Sequence, residues 1–315
     1  MLAKAPPGPA YSEEEITMAL LHRGFDLLWR AVVVGVAFIA AMMLVGMIFG
    51  SLGLIPAAGA APAGAAAGLF WILVAGILLG LYLGPLARRI PATRPQHVLI
   101  WTAVIFCNMG AVVLEGAYFA PDLVPLPLPI LGGQQFLAAL VAGGLLALLF
   151  APCGRSAAFL ATLHRRRWYS WLWRFLLAAL SYLLFYFAFG ALNYALVTGP
   201  YYASHAGGLT APPGELVLAV ELVRAPLLVL SVLLLILAAH TTRGRTLVLA
   251  GMTLFWVGGV VPLTLQIGNL PLLLLLASAV EIFLQNFLTG VVAGVLFWTG
   301  DNAAGRAAAP ALTPA

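Results

Sequence analysis

The chain of 315 residues is 63% hydrophobic and only 8% charged, with a formal net charge of +5. Soluble domains carry about 25% charged residues, and so few charged side chains cannot clothe a water-soluble surface, whereas a bilayer requires an apolar exterior. The composition excludes an ordinary soluble protein. The basic excess falls in short clusters between apolar runs, not in the polar-interleaved stripe that nucleic acid requires, which argues against a nucleic-acid partner.

Residues 1–28 read as a cytoplasmic amino-terminal segment. In "YSEEEITMALLHRGFDLLWR" a capping-box pattern at Ser12 and Glu15 precedes apolar residues Ile16, Ala19, Leu20 and Phe25 near one helical face, the pattern of an interfacial helix. The apolar run that follows is too long and too far from the start for the roughly 7–15-residue core of a cleaved signal peptide, so it reads as a retained first span.

A hydrocarbon core of about 30 Å needs about 20 apolar residues per helix. Eight stretches qualify, at about 29–53, 68–87, 97–119, 131–151, 171–196, 215–240, 246–267 and 271–298. The expected fold is an all-α polytopic membrane helix bundle. A basic linker at 152–170 separates spans one to four (29–151) from spans five to eight (171–298), and a flexible Ala/Pro-rich tail follows at 299–315.

Positive charges collect in cytoplasmic loops. All the Lys and Arg residues except Arg224 fall on the amino-terminal side, while "APDLVPLPLP", "TGPYYASHAGGLTAPPG" and "GNLP" carry none. This predicts a bacterial-type cytoplasmic membrane with both termini cytoplasmic.

Matching segments suggest a tandem repeat of two four-helix halves. Leu28-Trp29-Arg30 repeats as Leu172-Trp173-Arg174, Thr93-Arg94 as Thr242-Arg243, and Val141-Ala142-Gly143 as Val292-Ala293-Gly294. Both halves start on the same side, so they would relate by an axis along the membrane normal, an arrangement common among transporters.

Ionisable residues at membrane depth cost several kcal/mol, about 2.5–3.5 by insertion scales, unless paired or hydrated. Four fall there: Glu115, Glu221, Arg224 and Glu281. At the helical rise, Arg224 and Glu281 both lie roughly 14–15 Å below the same surface, which makes Glu281 the candidate partner of Arg224. Glu221 is one turn above Arg224 on the same face, and Glu115 lies near its level. Pro226 removes the amide donor of the Leu222 carbonyl and predicts a kink with a free acceptor beside Arg224. Ser278, Glu281, Gln285 and Thr289 form a polar stripe on span eight, and Asn108 and Glu115 a shorter one on span three. The candidate substrate-binding residues are therefore Arg224, Glu281, Glu221, Glu115, Gln285 and Asn108. A structural clamp between Arg224 and Glu281 accounts for the same pattern.

The remaining features read as anchoring. Trp168, Tyr169, Trp171 and Trp173 beside Arg165, Arg166 and Arg167 suit an interfacial belt, with anionic lipid headgroups as partners of the arginines. Tyr201, Tyr202 and His205 lie in the longest far-side loop and suit an entrance or a headgroup contact. His97 and His240 lack the pairing that haem needs. Neither H-E-x-x-H, C-x-x-C, G-x-S-x-G nor a Walker A sequence is present, so no metal, nucleophile or ATP-driven pump is indicated and no cofactor is expected. The sequence favours a secondary transporter or permease for a small or lipidic solute. A noncatalytic membrane subunit or scaffold comes second and an intramembrane lipid-modifying enzyme third. Membrane lipids are the expected partners, and protein partners are left open.

Overall fold

The computed structural model describes residues 13–54, 65–121, 126–152, 163, 166–239 and 241–299. Ser12, the first far-side loop, most of the basic linker, Cys153, His164, His240 and the tail lie outside them. Eight helices among the described residues are long and apolar enough to cross a membrane, and no strand is present among these residues. They are α1 (Glu13–Ser51), α2 (Ala65–Arg89), α3 (Arg94–Phe119), α4 (Leu128–Leu149), α5 (Trp168–Asn193, prolonged to Ala203), α6 (Gly214–Ala239), α7 (Arg243–Phe255, prolonged to Leu265) and α8 (Leu272–Phe297). The chain is a multi-pass membrane protein. Large exposed side chains such as Leu184, Leu196, Leu272 and Val280 form the apolar exterior that lipid requires.

Local chemistry explains the element boundaries. Thr93 opens α3 with a capping box, its amide donating to Gln96 Oε1 at 2.9 Å. The segment after Glu13 is not a separate helix, because α1 runs without a break for 39 residues into the first span. Two helices change pitch. In α5 a π turn at Tyr194–Thr198 precedes Gly199-Pro200, and in α7 a π turn at Trp256–Val260 precedes Val261-Pro262. Each proline lacks an amide and crowds the carbonyl four residues earlier, at Leu196 and Gly258, and the wider turn accommodates both defects. Pro226, by contrast, sits within a continuous α6.

The arrangement follows chain order. Successive helices run antiparallel: Gly80 meets Ala31 and Gly76 meets Gly35 across α1 and α2. Helix α1 packs on α2 and α4, and α3 on α4; likewise α5 packs on α6 and α8, and α7 on α8. Between the two sets, α3 lies against α6 and α2 against the end of α7. Small residues permit the closest approaches, as membrane helices require in the absence of a hydrophobic drive between them. A Cβ on Gly290 of α8 would stand 2.4 Å from the Gly251 amide nitrogen of α7.

One end of the bundle is basic. There Asp26 binds Arg30 at 2.8 Å and Arg88 at 2.5 Å, Arg30 donates to the terminal Leu149 carbonyl of α4, and Arg166 donates to the Leu296 and Trp298 carbonyls that end α8. Trp168, Tyr169 and Trp173 are exposed at this level, while Trp171 stacks on Phe297. His97 is buried and accepts a bond from Trp101 Nε1 at 3.1 Å.

The opposite, far end is closed by loops. Thr210 joins the loop before α6 to the end of α3, its amide donating to the Phe119 carbonyl at 2.8 Å and its hydroxyl to the Tyr118 carbonyl at 2.9 Å. Tyr201, Tyr202 and Leu270 pack around buried Ala120, Leu209 and Leu274. His205, Gly207 and Gly208 take left-handed backbone conformations in this turn, and Gly207 lies so close to Leu270 and the Asn269 carbonyl that a Cβ there would clash.

Candidate functional site

Beneath these loops lies a cavity of about 200 Å³ walled by α3, α5, α6, α7 and α8. Glu115, Arg224, Glu281 and Gln285 all line it. Helix α6 supplies the cation: Arg224 is 6% exposed and Glu221, one turn earlier, is 0% exposed. Arg224 Nη1 meets Glu221 Oε1 at 2.5 Å, and Nη2 meets Glu115 Oε2 on α3 at 2.8 Å.

Two tyrosines of α5 complete this cluster. Tyr182 donates to Glu221 Oε2 at 3.0 Å and Tyr186 to Glu115 Oε1 at 3.2 Å. Their rings also face the guanidinium, with its carbon 5.9 Å and 5.7 Å from the two centroids. One cation is thereby shared between two acids, each of which takes a further hydroxyl donor, the kind of satisfaction that makes buried charge tolerable.

Glu281 is not the ion-pair partner of Arg224. Its Oε2 accepts from Asn193 Nδ2 of α5 at 2.5 Å and its Oε1 from Gln285 Nε2 at 3.2 Å, both neutral amide donors. The matching depths of Arg224 and Glu281 bring them into one cavity, but α3 packs directly on α6 and carries Glu115 to the guanidinium first. Nor does Arg224 turn to the carbonyl freed by Pro226, since its terminal nitrogens go to carboxylates. Leu222, which bears that carbonyl, projects its side chain to the exterior.

Asn108 lies behind the cavity. It is fully buried, donating to the Val104 carbonyl at 2.7 Å and to Ser231 Oγ at 3.0 Å, while its Oδ1 has no partner. Between Asn108 and Asn286 passes Gly258 of the α7 π turn, where a Cβ would stand 2.7 Å from Asn108 Oδ1. On α8, Ser278, Glu281 and Gln285 reach the cavity, while Thr289 is buried and donates to the Gln285 carbonyl. Tyr201 and Tyr202 lie not in a loop but in the helical prolongation of α5, because the π turn carries the helix past Pro200; Tyr202 lines the cavity, whereas His205 Nδ1 lies 3.1 Å from the Leu209 carbonyl within its own turn.

Sequence reasoning did not find Tyr182, Tyr186, Asn193, Ser231 or Asn286. Tyr182 and Tyr186 sit at helical spacing on the α5 face that meets α6, a signal masked by the aromatic richness of the whole segment "SYLLFYFAF". Among the described residues no three His, Cys, Asp or Glu side chains form a metal-binding group. Comparisons with protein-family models, curated proteins and solved structures find no match for this chain.

Proposed function

We propose that the protein is a secondary transporter or permease whose solute site is the cavity beneath the far-end loops. The observation that carries this reading is the convergence of two carboxylates, Glu115 and Glu281, and the Arg224 guanidinium on one cavity at membrane depth, with a third carboxylate, Glu221, buried against Arg224. Two of the acids share Arg224; Glu281 has only neutral donors. A carboxylate in that setting either keeps its proton or takes a cation, so the cavity suits a positively charged solute or a proton-coupled one.

The same reading takes the protein as resident in a cytoplasmic membrane with the basic end inward, by the charge rule. It also takes the two sets of four helices as duplicated halves, supported by their matching packing partners. The site then draws Glu115 from the first half and its other ionisable groups from the second.

A scaffold or noncatalytic subunit is the second reading, favoured by one contact: the Arg224 to Glu115 pair joins α6 to α3 across the two sets of helices. Measurement of charge movement in proteoliposomes challenged with a panel of small amines separates the two. Transport predicts a signal that Glu281→Gln lowers at least tenfold while the variant stays folded. Absence of flux together with a stable protein partner on copurification favours the scaffold, and flux unchanged in both Glu281→Gln and Arg224→Gln removes the site assignment.

A further inference from the structure

Glu281 is common to three voids. It borders the cavity just described, an aromatic pocket of about 400 Å³ and a groove of about 370 Å³ between α5 and α8. The groove opens on the apolar exterior: Leu192, Leu196, Leu273, Leu276 and Val280 along it are all more than half exposed. Asn193, which also lines the groove, holds one oxygen of Glu281, and Gln285, which lines the inner cavity, holds the other. The aromatic pocket sets Tyr186, Phe187, Tyr194 and Tyr202 beside the same carboxylate, a surrounding that favours organic cations over hydrated metal ions.

Resting on the transport reading, we infer that the solute is an amphipathic organic cation, a single-chain amine that reaches the site sideways from the lipid. Its tail lies in the groove and its ammonium meets Glu281. Charge complementarity selects the occupant, because the polar floor of an otherwise apolar groove holds an acid without a cationic partner among the described residues. A phospholipid headgroup does not fit the same place. Glu281 lies nine residues below the start of α8, roughly 14 Å at the helical rise, whereas headgroups stay at the surface.

Photolabelling in nanodiscs with a diazirine-bearing long-chain amine tests this. Labels are expected on the α5 and α8 peptides that border the groove, competed by decylamine at least tenfold better than by decyl sulfate and reduced at least tenfold in Glu281→Gln. Ala277→Phe, which narrows the groove one turn above Glu281 and leaves the carboxylate itself in place, is expected to abolish labelling by the long-chain amine while leaving methylammonium flux intact. Equal competition by decyl sulfate, or full labelling of folded Glu281→Gln, overturns the inference and makes the groove an ordinary lipid contact. The two readings fail separately: labelling without any flux removes transport and keeps the site, whereas flux of methylammonium with no chain-dependent labelling keeps transport and removes the sideways amphiphile.

Discussion

At the scale of single residues, Arg224 decides the electrostatics of the far half of the bundle. Removing one member of a buried ion pair costs about 3–5 kcal/mol because the partner remains buried and uncompensated. Arg224→Gln leaves Glu221 fully in that state and the partly exposed Glu115 less so, so thermal unfolding in detergent is expected to show a large loss of stability. The double variant Arg224→Gln/Glu221→Gln is expected to regain part of it. Tyr182→Phe removes one donor from a charged acceptor and is expected to cost about 1.5–3 kcal/mol, read by the same unfolding assay. Tyr186→Phe is expected to cost less, since its acid Glu115 is 28% exposed against 0% for Glu221. The sequence was informative about these residues in one dimension only. Counting residues along a span gives height, which brought Glu115, Arg224 and Glu281 to one cavity. Pairing depends on azimuth and on which helices are neighbours, and periodicity within one helix does not contain those. Tyr182 and Tyr186 were missed because hydropathy scores them with the apolar residues around them.

At the scale of elements, the eight spans were legible because lipid leaves a long apolar stretch no alternative to helix. The π turns of α5 and α7 were not, although Pro200 and Pro262 mark where each helix must release a carbonyl. The same defect at Pro226 is absorbed without a change of pitch, so a proline identifies a site of adjustment and packing determines its form. Helix contact gives a sharper test. Gly290→Val would drive a branched side chain into the α7 backbone at a point where no flexible atom can yield, and the expected outcome is loss of the monodisperse peak in size-exclusion chromatography. Gly144→Val on α4, where a Cβ meets nothing within 4 Å, is expected to retain it.

At the scale of the whole molecule, the described arginines other than Arg224 gather at one end, including Arg30, Arg88, Arg166 and Arg245. Single cysteines placed in a cysteine-free background test the resulting orientation. An impermeant maleimide is expected to label a cysteine at Ser204 in intact cells and one at Arg243 only after permeabilisation, and the reverse pattern would invert the topology.

Helix α1 has a mechanical consequence. Its 39 residues amount to roughly 58 Å at 1.5 Å each, nearly twice the hydrocarbon thickness. It contains no proline and no π turn, the usual causes of a sharp bend. Asp26 ties it to Arg88 at the foot of α2 and from Ala31 onward it packs on α2 and α4, so the exposed stretch before Asp26 is a stiff arm continuous with the packed span. A push on the arm around Glu15 would be delivered as a tilt of the first span, and through it to α2 and α4.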